Sequence, residues 1–220
     1  MDHVISGVAK FQKDVFPEKK AAFKKLANGQ NPEVLFITCS DSRIDPNLVT
    51  QTEPGDLFIC RNAGNVIPPH SNETGGMTAS VEFAVAALGV THIVICGHSD
   101  CGAMKGAINP EGLSALPHVK EWLGHCRVAT EVVKEKCGCD DLNAEDHLQL
   151  VTEENVVQQL QHIKTHPAVA AKIATGQVKL HGWFYNIETA EVTCYQEETG
   201  EFGTMDEKYT AELVSKHKES

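Results

Sequence analysis

The sequence is short of positive charge. Its 19 Lys and Arg stand against 30 Asp and Glu, a formal net charge of −11 with a pI near 5.4. A nucleic-acid binder presents a basic face to phosphates, so that class of partner is excluded, and Lys24-Lys25 reads as a solvated helix face. Long hydrophobic runs are also missing. Apolar stretches such as Val34–Ile37 and Ile93–Cys96 are strand-length, far below the roughly 20 residues that cross a bilayer, and no membrane partner is expected. The opening Met1-Asp2-His3-Val4 lacks the basic-then-apolar pattern of a secretion signal. The expected location is cytoplasmic, or an organelle lumen if a transit peptide has been removed. Internal repeats and low-complexity tracts are absent, which excludes solenoid and linker architectures.

What the chain does hold is apolar content and cysteine. At 220 residues and 41% hydrophobic, it can fill the core of one fairly large domain without a disulfide scaffold. Its eight cysteines lie at 39, 60, 96, 101, 126, 137, 139 and 194, and without a secretion signal they read as reduced thiols. Cys60, Cys96 and Cys194 sit inside apolar runs and read as small core residues. Cys39 and Cys101 stand instead among Asp, Ser, Arg, His and Gly. That contrast is the first pointer to chemistry.

Residues 2–28 read as helical, with Val4, Ile5, Val8, Phe11, Val15, Phe23 and Leu26 apolar and an interruption at Pro17. This segment has too few apolar partners to fold alone, so it is expected to pack on the body or on a neighbouring subunit. From Val34 a strand–helix alternation begins. Val34–Thr38, Leu57–Cys60 and His92–Gly97 read as buried parallel strands. Helices are expected after Asp45-Pro46, over Met77–Leu88, from Cys101 to Ile108, as one longer helix from Pro117, over 143–164 and over Pro167–Thr175. Two strands follow, Val178–Tyr185 and Val192–Tyr195, and then a short, polar, helix-like tail. The expected fold is one α/β domain with a mainly parallel central sheet flanked by helices: a helical arm over 1–30, a core over 31–195 and a tail over 196–220.

Cys39-Ser40-Asp41-Ser42-Arg43 follows the first strand and His98-Ser99-Asp100-Cys101-Gly102 the third. Ligands of an open parallel sheet bind at the carboxyl ends of strands, so the two segments can converge there. Two cysteines and one histidine make three good zinc ligands and leave a fourth position open, whereas a structural zinc normally closes its sphere with four. Cys137 and Cys139 are the only other candidates, and they read as part of a solvated loop. Gly97 and Gly102 flank the second segment and would let the backbone turn tightly near a bound group. Asp41, two residues from Cys39, can project to the same side and reach the metal or its water. Arg43 can pair with Asp41, keep it ionised and draw it off the metal. Two thiolates make zinc acidify its water less than an all-histidine set would, so a carboxylate that orients the nucleophile gains importance.

These segments resemble the β-class carbonic anhydrases. The resemblance rests on Cys39–Arg43, Pro54–Phe58, Arg61–Asn65, Glu82–Ala84, Gly97–Gly102 and His181–Trp183, in family order and spacing over nearly the full length. It implies one zinc per subunit on Cys39, His98 and Cys101, with Asp41 and Arg43 as the catalytic dyad. The implied reaction is reversible hydration of carbon dioxide to bicarbonate and a proton, by attack of a zinc-bound hydroxide. It further implies an arm that wraps a partner, hence a homodimer or a higher homo-oligomer such as a tetramer. Gln30, Phe58 and Gly102 match substrate-binding positions of the plant-like subtype, some of them contributed across the dimer interface. Phe83 stands where that subtype often has tyrosine. In a second subtype the aspartate closes onto zinc, with bicarbonate held by tryptophan, arginine and tyrosine. Here Arg61 and Tyr185 are present, but Phe36 takes the tryptophan position. An open fourth position near neutral pH is therefore expected. Two other readings stand beside this one: a hydrolase of carbon disulfide or carbonyl sulfide on the same scaffold, and a non-catalytic protein with a structural zinc.

Overall fold

Strand register is what unites the two motif segments. The computed structural model describes residues 1–137, 142–205 and 210; the Cys137 side chain, Cys139 and Tyr209 lie outside them. β1 (Val34–Cys39), β2 (Leu57–Asn62), β3 (His92–His98) and β4 (Lys179–Tyr185) pair in parallel. β5 (Val192–Gln196) and β6 (Glu201–Thr204) extend the sheet antiparallel, giving the order β2-β1-β3-β4-β5-β6. β1 lies between β2 and β3, and its Leu35, Phe36 and Ile37 are at most 2% exposed. A strand buried on both faces reads as such a continuous apolar run. The mainly parallel sheet is as expected. β6 corrects one expectation, because residues 201–204 form an edge strand where a polar tail was read; Thr199-Gly200, with φ +75 at the glycine, turns the chain back on β5.

Helices cover one face of this sheet. α3 (Pro46–Thr50) is capped by Asp45, whose side chain accepts from Leu48 N, with Pro46 in the first turn. α4 (Gly76–Glu82) runs into a wider turn over 83–87 and ends at Gly89, φ +71. α5 (Gly102–Ile108) follows β3. The single helix expected from Pro117 is two helices, α6 (Pro117–Leu123) and α7 (Arg127–Cys137), joined by a tight turn at Gly124–Cys126. The break keeps Leu123, Cys126, Ala129 and Val133 all pointed inward. α8 (Ala144–Lys164), capped by Asn143, buries Leu148, Val151, Val156, Leu160 and Ile163 as the periodicity predicts. It also buries Thr152, Asn155 and Gln159. α9 (Pro167–Ala174) leads into β4. Among the described residues no helix is long and apolar enough to cross a membrane.

The arm comprises α1 (Asp2–Lys10) and α2 (Phe16–Leu26), with a wider turn over 11–15 between them. The departure from α-helical bonding precedes Pro17, which sits in the first turn of α2. Proline supplies no N–H to the turn before it, and Phe16 N–H reaches back to Phe11 O, five residues away. Neither helix buries a residue, and Val4, Ile5 and Val8 stay 50–62% exposed.

Candidate metal centre

Cys39 ends β1, His98 ends the adjacent β3, and Cys101 precedes α5. Their donor atoms lie within 4.8 Å of one another, the one such group of metal-type donors among the described residues. All three side chains belong to buried residues, 5%, 0% and 0% exposed. The sulfurs stand 4.0 Å apart, close to the about 3.8 Å between two thiolates bound at about 2.3 Å on a tetrahedral zinc. His98 Nδ1 donates to Ser99 O at 2.8 Å, which leaves Nε2 as the ring's acceptor. That Nε2 is fully buried and has no hydrogen-bond partner. A buried imidazole lone pair facing two sulfurs fits a cation and is costly without one.

Electrostatics agree. The two sulfurs share one proton: Cys39 is drawn well below an ordinary thiol by its hydrogen bond with Cys101, against burial and with help from His98 and Gly64. Cys101 is pushed up by that same bond, by burial and by the charge on Cys39. A dication in place of that proton would stabilise both thiolates. Elsewhere burial is the largest influence. Cys96 and Cys126 are each pushed up to about 12, so they are inert packing thiols.

Asp41 leans toward this cluster without joining it, its Oδ2 3.9 Å from His98 Nε2. Arg43 holds both carboxylate oxygens: Nε donates to Oδ1 at 2.9 Å, Nη2 to Oδ2 at 2.8 Å, and the Arg43 backbone N–H to Oδ1 at 3.0 Å. These hydrogen bonds keep the Asp41 carboxyl well below the usual carboxylate range. Arg43 also donates to Asp100 Oδ2 (2.9 Å) and Asp100 O (3.1 Å), and Lys105 pairs with Asp100 in turn.

Three supports escaped the sequence reading. Asp100 takes the left-handed conformation, φ +55, and so turns the chain between His98 and Cys101. Gly97 and Gly102, expected to make that turn, have no positive φ. Gly97 is needed for packing, since a Cβ there would stand 3.0 Å from Thr152 and Val156 of α8, while Gly102 faces open space beside Cys101. Arg61 donates to Cys39 O (3.0 Å) and Asp41 O (2.7 Å), so it braces the turn that carries the dyad. Gly64 N–H donates to Cys39 Sγ at 3.4 Å. Asp100 and Arg61 could have been suspected from charge beside the motifs; a backbone donor 25 residues from its sulfur could not.

The remaining pocket positions are not brought to the cluster within one chain. Phe58 and Phe83 stack at 6.0 Å between ring centroids. Phe58, however, pairs with Leu35 while Asn62 pairs with Cys39, which sets it roughly 13 Å back along the sheet at about 3.3 Å per residue. Gln30 lies exposed beyond the opposite, amino end of β1.

Residues 34–192 match the family profile described as carbonic anhydrase. The chain is 46% identical to carbonic anhydrase 1 of Escherichia coli O157:H7 over 202 residues, covering 92% of this chain and 91% of that protein. Among solved structures, the β-carbonic anhydrase CcaA superposes with a TM-score of 0.90 at 42% identity, over 94% of this chain and 92% of that one. A tetrameric β-carbonic anhydrase of the filamentous ascomycete Sordaria macrospora superposes with a TM-score of 0.77 at 28% identity, over 88% and 95% of the two chains.

Proposed function

This chain belongs to the carbonic anhydrase family, in its β class, and from that premise we propose that it catalyses the reversible hydration of carbon dioxide to bicarbonate and a proton, with Asp41 and Arg43 as its dyad. The observation that carries the reading is the buried, partnerless His98 Nε2 facing Cys39 and Cys101, with an ionised carboxylate beside it. Zinc held by these three residues supplies the Lewis acidity that makes water a nucleophile at neutral pH. Asp41, kept ionised, would accept a hydrogen bond from a water or hydroxide held there, which turns an oxygen lone pair toward the substrate carbon. Arg43 keeps Asp41 ionised and, by occupying both of its oxygens, holds it off the metal. This favours an open fourth position near neutral pH. The open space beside Gly102 lies next to Cys101, where a backbone N–H can meet the substrate.

We further propose a homo-oligomer. Gln30, Phe58 and Phe83 cannot reach the metal corner of their own subunit, and the arm leaves an apolar stripe exposed; a partner supplies both needs. The tetrameric state of the Sordaria relative supports the higher assembly. Each of the six described cysteines stands outside a disulfide, which favours a reducing, cytoplasmic location.

Stopped-flow measurement of carbon dioxide hydration on wild type and Cys101→Ser tests the reading. Wild type should release protons in a zinc-dependent manner, and the variant should lose bound zinc together with at least about a thousand-fold in rate. Turnover of carbon disulfide with none of carbon dioxide would overturn it, as would metal binding without turnover.

A further inference from the structure

The chain after β2, from Ala63 to Pro68, has no strand or helix to pair with, yet side chains take its backbone groups one after another. Asn62 closes the turn on itself, its Oδ1 accepting from Val66 N at 2.7 Å and its Nδ2 donating to Val66 O at 2.9 Å. Trp122 Nε1 donates to Ala63 O at 2.9 Å. The other anchors come from one face of α8. Asn155 Nδ2 donates to Gly64 O at 3.1 Å, Gln159 Oε1 accepts from Ile67 N at 2.7 Å, and His162 Nδ1 donates to Ile67 O at 2.8 Å.

Asn155 and Gln159 are 0% exposed, and Gln159 Nε2 donates to Asn155 Oδ1 at 3.0 Å. The backbone fixes both amides. Gly64 O can only accept and Ile67 N only donate, so Asn155 must present its NH2 and Gln159 its carbonyl. Burying two amides in an apolar helix face is costly unless every bond is made, so the pair is a committed feature of the core. What it holds is Gly64, whose own N–H donates to Cys39 Sγ. Gly64 sits at φ +81, and a Cβ there would stand 2.8 Å from Met104 Cε and 3.2 Å from Ala103 Cβ. Only glycine brings its amide this close.

We infer that Asn155, locked by Gln159, is a positioning residue of the metal centre, holding Gly64 so that its N–H stays on the Cys39 sulfur. An N–H···S bond withdraws charge from a thiolate and fixes its orientation, so a metal on Cys39 keeps more of its Lewis acidity. In a site with two thiolates that offsets part of the charge they donate. The inference rests on the metal reading above.

The direct test uses the wild-type protein loaded with the NMR-active isotope of cadmium. Magnetisation should pass from the metal through Cys39 Sγ to the Gly64 amide proton. A cadmium signal in the thiolate range with no transfer to Gly64 would overturn the inference and leave the metal reading standing. The absence of a thiolate-bound cadmium signal would overturn both. Asn155→Leu, similar in size and apolar, should lose the transfer and raise the zinc dissociation constant about 10-fold in chelator competition. A folded Asn155→Leu with transfer and zinc affinity unchanged would overturn the assignment to Asn155, and the wild-type experiment decides the matter should that variant not fold.

Discussion

The corner where β1 and β3 end and the arm that precedes β1 are built on opposite terms. At the corner the three donor residues are at most 5% exposed, and Asp41, Arg43, Arg61, Asp100 and Gly64 are tied to one another or to the ligands. In the arm no residue of either helix is buried, and Phe11, Phe16 and Phe23 pack chiefly on each other, with centroids 5.6 to 6.3 Å apart. A single chain therefore sets the donor residues and their braces and leaves its outer face unfinished. The difference teaches that the corner can be broken with assembly intact, whereas breaking assembly also takes the pocket that a partner completes.

The largest effect expected with zinc still bound breaks the corner alone. Asp41→Asn keeps the size and the zinc ligands but loses the charged carboxylate that orients the nucleophile, so the hydration rate should fall about 100-fold or more with zinc content unchanged. The pH profile sharpens this. A carboxyl whose native pKa is depressed contributes stability that is present above its ordinary pKa and lost only as pH falls through the native value. Asp41 should therefore stay ionised below pH 4, seen as a carboxylate carbon shift that does not move between pH 7 and 4. A change in that interval would deny the Arg43 pairing.

A second substitution breaks the arm alone. Val8→Asp puts a charge into a stripe that one chain leaves 55% exposed at that residue. Its fold should persist by circular dichroism, while the mass in solution falls toward a monomer and the hydration rate falls with it. Unchanged mass would show that the stripe makes no subunit contact.

The smallest expected effect compares two cysteines that are both 0% exposed, Cys101 and Cys126. Cys126→Ser buries a hydroxyl among apolar neighbours and should cost about 1–3 kcal/mol of stability. Zinc content and hydration rate should stay at wild-type values.

Much of the corner was legible because its elements carry local signals. A continuous apolar run marks a buried strand, and polar residues directly after it mark the strand's carboxyl end; Cys39 and His98 were found that way. The supports were not legible for a physical reason. Hydrophobic periodicity reports only apolar positions, so it gives no sign that Asn155 and Gln159 face inward from α8. Gly97 departs from its expected role: glycine suggests a turn, while here the left-handed position falls to Asp100 and the glycine makes room for a helix. The edge strand β6 was missed because its Glu201-Phe202-Gly203-Thr204 has one apolar residue and no alternation to read.

The sequence by itself determined the donor set, the alternation that makes a parallel sheet and an acidic charge balance with apolar runs of strand length. These are properties of residue type and spacing. Only the tertiary structure decided that Asp41 is held by Arg43 off the cluster, that Arg61 and Asp100 brace it, and that α8 reaches across 91 residues to fix Gly64. The last of these joins residues far apart in the chain, and burial makes it costly to lose, yet neither distance nor burial is written in local sequence.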